Sequence, residues 1–341
     1  MSPADHRRIV FVVGPGRSGT STMAGALAHS GYHVPQAIKG NETNPGGFFE
    51  PRWVVNFHRN LLRKTGVRTL DTDPGILERM TAVGEDAEIR EQLRTWLSER
   101  LDKHDRLVIK DPRMVWFTEL WVSVAQELGC DPGFVIMLRH PSEVSSSRSE
   151  YYNVREVTGV AGWINVALLT EQLTAGSPRS FVHYPNLTAE WRPELTRTRD
   201  LLGLHLEPAP EQQPHPVDDF IDPKLRRMKP GWENISVPTF LQDLGDRTFD
   251  ALGQIADGGE SEVVAETLDG IRADYAQLHE DSLALVNASV KRMREDVARK
   301  AARRARAKVK EKYAAQAPAV VDGSSDGVLS KVARRLRGSG S

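Results

Sequence analysis

The residues with chemistry to offer begin at Gly14-Pro15-Gly16-Arg17-Ser18-Gly19-Thr20-Ser21 in a chain of 341 residues. Glycines at 14 and 19, directly after an apolar run and at a helix start, form the pattern of a phosphate cradle. In such a cradle backbone N–H groups and the positive end of the helix dipole meet an anion. Loops that hold nucleoside triphosphates follow the second glycine with lysine and then serine or threonine. Here Thr20 and Ser21 follow it, and the cation, Arg17, precedes it. A purely structural strand-to-helix turn also uses glycine, so a second motif has to decide. Arg139-His140-Pro141 follows another apolar run, and Ser147 lies eight residues after the arginine. Arginine suits a phosphate monoester because it grips with two parallel hydrogen bonds, and Pro141 fits the first turn of a helix. Alone, Arg139 could cap that helix. The position of the glycine loop, after a buried run and at a helix start, favours a phosphate ester.

Pro15-Gly16-Arg17-Ser18-Gly19-Thr20 resembles the donor loop of the sulfotransferase family, whose pattern is Pro-Lys/Arg-Ser-Gly-Thr; one inserted residue departs from its tightest form. The resemblance covers residues 8 to 190 and points to the bacterial, carbohydrate-type members. It implies 3′-phosphoadenosine 5′-phosphosulfate (PAPS) as co-substrate, with no metal. Pro15, Gly16, Arg17, Ser18, Gly19, Thr20 and Ser21 would cradle the phosphosulfate, and Arg139 and Ser147 the 3′-phosphate. A third donor contact in this family comes from a basic, glycine-containing loop. Arg226-Arg227-Met228-Lys229-Pro230-Gly231-Trp232 is the candidate, and a basic helix end explains it equally well.

Sulfuryl transfer needs a base for the acceptor hydroxyl and a positive group where charge builds on the leaving phosphate. Asn41 to Glu50 resembles the Asn-Pro-x-Gly-aromatic-Glu stretch of bacterial members, which makes Glu50 the expected base; a salt-bridged glutamate is the alternative. Lys110-Asp111-Pro112-Arg113 stands where cytosolic members carry Lys-Thr-His, so Pro112 replaces the family's histidine. Asp111 is then the second candidate base, while Lys110 and Arg113 would stabilise charge. An Asp111–Arg113 ion pair with a structural role remains open. Trp53, Phe57, His58, Trp116, Tyr151 and Tyr152 either line an acceptor pocket or belong to the core. The expected acceptor is a hydroxyl of a carbohydrate, glycolipid or small metabolite.

The elements that must position these residues read as α/β. Ile9 to Gly14 is a continuous β-branched run, as in a strand buried on both faces; Leu107 to Lys110, Phe134 to Leu138 and Phe181 to Tyr184 repeat it between helical stretches. The expectation is a three-layer fold like that of P-loop nucleotide triphosphatases, with a parallel central sheet. It would occupy residues 1–256, with a long helix over 257–315 and a flexible basic tail over 316–341. In the long helix Ile271, Tyr275, Leu278, Ser282 and Leu285 fit one apolar seam, and Val286, Val290, Met293 and Val297 another, offset by a stutter. A homodimer through this helix is one expectation. From Lys291 onward 15 Lys/Arg face 5 Asp/Glu, so residues 1–290 carry −11 in a chain of net charge −1. The basic tail suggests peripheral contact with an inner membrane face, and no nucleic-acid partner is expected.

No apolar run is long enough to span a bilayer, and the N-terminus lacks a signal-peptide pattern, so a cytoplasmic protein is expected. The single cysteine, Cys130, reads as structural, and the ten histidines show no metal-ligand spacing. Two rival readings stand: a P-loop kinase or triphosphatase, opposed by the missing lysine, and a non-catalytic adaptor binding anionic lipid or nucleic acid through the tail.

Overall fold

The computed structural model describes residues 7–41, 44, 46–152, 155–222, 230–233 and 235–315. Strand β1 (Arg8–Val13) lies inside a four-stranded, wholly parallel sheet with β2 (Arg106–Lys110), β3 (Asp131–Leu138) and β4 (Arg179–His183), in the order β2-β1-β3-β4. Alternate side chains of β1 point to opposite faces, and both faces are covered. Ile9, Phe11 and Val13 join one core; Val10 and Val12 join the other. That is why the run is apolar without alternation.

The first core is closed by α2 (Arg52–Thr65), α3 (Ile76–Gly84), α4 (Ala87–Leu101), α5 (Thr118–Glu127), α6 (Pro141–Tyr152), α7 (Glu156–Thr174) and α11 (Thr239–Gly258). The second is closed by α1 (Thr20–Ala28), α8 (Tyr184–Ala189), α9 (Trp191–Leu202) and α10 (Pro216–Phe220). The result is the three-layer α/β arrangement expected of a P-loop-like fold, with β1 internal.

The last described helix, α12, runs Glu262–Ala315. By its contacts the chain divides into Met1–Glu280 and Asp281–Ser341. In the first unit Leu268, Ile271 and Tyr275 enter the core, and the Tyr275 hydroxyl donates to the carbonyls of Thr72 and Ala161. In the second, Leu285, Val286, Met293 and Val297 are each more than half exposed. The first apolar seam thus packs through Leu278 and no farther. No helix among the described residues is long and apolar enough to cross a membrane.

Of the two readings open for the aromatics, the described ones take the core. Trp53 stacks on Phe57 and Trp96, His58 is fully buried against Phe117, and Trp116 is buried with its indole N–H on the Thr69 carbonyl. Their bulk fills the layer between α2, α4 and α5 rather than facing a ligand. The side chains of Tyr151 and Tyr152, the pair Arg226 and Arg227, and the tail beyond Ala315 lie outside the described residues.

Candidate active site

The candidate residues gather at the C-terminal edge of the sheet, where open α/β sheets place ligands. The turn after β1 approaches its neighbours too closely for side chains at two points. A Cβ on Gly14 (φ 130°) would lie 2.9 Å from the Met137 carbonyl oxygen, and one on Gly19 (φ 91°) would lie 2.1 Å from the Tyr184 ring. Gly19 precedes α1, whose first-turn N–H groups open into the turn. Arg17 is left-handed at φ 80°, which glycine tolerates and arginine does not. Two contacts hold it there: Arg139 donates from Nη1 to the Arg17 carbonyl at 3.0 Å, and Arg17 donates from Nε to Ser147 Oγ at 3.0 Å. Strain held by surrounding structure is characteristic of ligand clamps.

Arg139 is itself fixed on three sides. Beyond the Arg17 carbonyl, its Nε faces Glu143 at 3.4 Å and its guanidinium lies over the Tyr184 ring at 4.7 Å. The two donor motifs read from sequence therefore meet directly, through Arg17, Arg139 and Ser147. Ser18 is fully buried, and its hydroxyl has no hydrogen-bond partner among the described residues. A buried hydroxyl without a partner is costly. It suits a turn that completes its bonding around an anion such as a phosphosulfate.

Behind the turn, Lys110 at the end of β2 donates to Glu50 Oε1 at 2.6 Å and to Ser21 Oγ at 3.3 Å. Ser21 also donates to the Phe48 carbonyl and accepts from Asn44. Glu50 sits between Phe49 (φ 51°) and the start of α2. Its second carboxylate oxygen has no protein partner among the described residues, and a fraction of its side chain, 12%, is accessible. Glu50 and Lys110 are thus brought together against the glycine turn.

Asp111 faces the other way. Its side chain is fully buried, accepting from the Arg113 N–H at 2.7 Å and from Arg113 Nη1 at 2.6 Å. The His58 Nδ1 stands 3.6 Å from its other flank, long for a hydrogen bond, so that contact is electrostatic. His58 Nε2 accepts from the Trp121 indole at 2.8 Å, which puts the neutral ring's proton on Nδ1, toward Asp111. Burial lowers the His58 pKa. Burial alone would raise the Asp111 carboxyl, but the facing His58 and then Arg113 outweigh it and hold it below the usual carboxylate range. With no accessible face, Asp111 anchors Arg113 and offers no base to a substrate. The Trp121–His58–Asp111 contact, spanning 63 positions between Trp121 and His58, has no sequence signal beyond a histidine on the apolar side of α2.

The third donor segment enters only at its described end. Gly231 N–H donates to Ser142 Oγ, and Trp232 and His140 share the Asp246 carboxylate. This brings the end of that segment to the residues just after Arg139. Among the described residues no group of three or more His, Cys, Asp or Glu is placed to hold a metal ion.

Sheet order and turn define a class: a three-layer, P-loop-like α/β domain with a glycine-rich turn after an internal strand. Among solved structures, the chain is similar to the "Sulfotransferase Domain from the Synechococcus PCC 7002 Olefin Synthase", at 19% identity and a TM-score of 0.43, covering 74% of this chain and 98% of that one. It is also similar to the "Sulfotransferase Domain from the Curacin Biosynthetic Pathway", at 14% identity and a TM-score of 0.40, covering 72% of this chain and 97% of that one. No protein-family model matches the chain, and no curated protein matches it. Similarity this loose carries nothing about substrate.

Proposed function

We propose that this protein is a sulfotransferase that moves the sulfuryl group of PAPS to a hydroxyl of a carbohydrate, glycolipid or small metabolite. One observation carries the reading: the strained Arg17 turn is clasped by Arg139 and Ser147 while a Lys110–Glu50 pair docks on its Ser21. The N–H groups of the turn, the Arg17 side chain and the hydroxyls of Ser18 and Thr20 would hold the phosphosulfate, and Arg139 and Ser147 the 3′-phosphate. Arg139 also positions the turn and reaches the phosphate with its remaining N–H groups. The segment ending at Gly231-Trp232 would close over the same nucleotide.

The free oxygen of Glu50 takes the acceptor hydroxyl's proton as that oxygen attacks sulfur; the S–O bond to the phosphate breaks, and its electron pair leaves with adenosine 3′,5′-bisphosphate. Lys110, bonded to Glu50 and Ser21, lies between base and leaving group and stabilises the charge that grows on the phosphate. The test is release of adenosine 3′,5′-bisphosphate from PAPS across a panel of hydroxyl acceptors, compared with Glu50→Gln. Loss of a base is expected to cost about 10²–10⁴-fold in turnover. Turnover by Glu50→Gln at the original rate would remove Glu50 from the chemistry.

A further inference from the structure

Beside Arg113 a groove of about 580 Å³ opens between the exposed face of α2 and the segment that follows it. Asn56, Arg59, Asn60 and Arg63 recur at helical spacing along α2, and Arg68 and Arg113 close the groove from the other side. Its lining contains four arginines and no carboxylate. This is unexpected in a body of net charge −11 over residues 1–290. Arg59, Arg63 and Arg68 have no ion-pair partner among the described residues; Arg63 meets only the Asn60 side chain, at 3.2 Å. Arg59 and Arg63, one turn apart, repel each other unless an anion lies between. Arg113 is aimed by Asp111, which His58 backs from the buried face of the same helix. The buried triad, unused in the transfer step, therefore serves to hold one guanidinium at the groove.

One stretch of chain, Lys110 to Arg113, links the groove to the candidate site. Pro112, next to Arg113, is the nearest neighbour of the Cβ position of Gly16, at 3.5 Å, and Lys110 is two residues before it. We infer that this groove binds an oxyanion on the acceptor, a phosphate or sulfate ester, and so selects hydroxyl acceptors already carrying such a group. Guanidinium forks match tetrahedral oxyanions bidentately, and the volume suits a small substituted sugar. The inference rests on the sulfotransferase reading for its acceptor role.

The test titrates the full chain, saturated with adenosine 3′,5′-bisphosphate, with inorganic phosphate, with sulfate and with acetate in separate calorimetric runs. The same runs are made on Arg63→Ala/Arg68→Ala, with bisphosphate affinity measured as the control for fold and donor site. The expected result is uptake of phosphate or sulfate over acetate that weakens about tenfold or more in the double variant, while bisphosphate affinity holds. The better of the two ions names the ester. Equal uptake by both proteins, as an ion at the vacated sulfuryl position would give, overturns the groove and leaves the donor reading intact. Failure of bisphosphate itself to bind overturns the donor reading, and with it the groove's acceptor role.

Discussion

At the scale of single residues, the arrangement turns on one buried pair and one buried triad. Lys110 is 4% and Glu50 12% accessible at the side chain, and they meet at 2.6 Å. Lys110→Met leaves Glu50 near-buried without its cation and is expected to cost about 3 kcal/mol of stability, read from the urea midpoint. The same change in a Glu50→Gln background should cost much less, because the charge left behind is gone. Neither partner announces the other in sequence, since 60 positions separate them. The triad makes stability pH-dependent. His58, ordinarily 6.5, titrates lower when folded, so the unfolded chain takes up a proton first and stability falls as pH drops below its ordinary value. Each pH unit within that window costs up to about 1.4 kcal/mol. Asp111, ordinarily 3.8 and lower when folded, adds a further loss as pH falls below that value. Thermal unfolding from pH 7 to pH 5 should show a declining midpoint, with a shallower slope in His58→Gln; identical slopes would remove His58 from the effect.

Among the elements, the strand–turn–helix unit at the front of the chain does the positioning. Gly19→Ala places a methyl 2.1 Å from the Tyr184 ring at φ 91°, whereas Gly66→Ala, at φ 73°, meets nothing within 4 Å. The Gly66 change carries only the backbone cost, about 1–2 kcal/mol. The Gly19 change adds a clash with the ring that also carries Arg139, and it should cost more in denaturant unfolding and abolish bisphosphate binding. This unit was legible in sequence because its signals are local: an apolar run buried on both faces, glycines where the turn needs them, a helix start. The contacts that give it purpose were not. Arg17 and Ser147 meet across 130 positions, and only the resemblance to a known family joined them. The aromatics of α2 and its neighbours stood open between core and ligand pocket, since periodicity alone does not separate a ring facing a ligand from one facing the core; burial decides for the core.

For the molecule as a whole, every described residue of the candidate site lies in the unit that ends at Glu280. A chain ending there keeps Tyr275 and the core it completes. It should therefore retain both its thermal midpoint and its bisphosphate affinity; a large fall in either would show that the second unit supports the first. The central claim, a donor site for PAPS that works without metal, is tested most directly by calorimetric titration with adenosine 3′,5′-bisphosphate in EDTA, repeated with Arg17→Ala. Saturable binding in EDTA, weakened at least tenfold by Arg17→Ala, is the expected result. No binding in EDTA, with ATP bound once magnesium is supplied, would contradict the claim and make the protein a triphosphate enzyme instead.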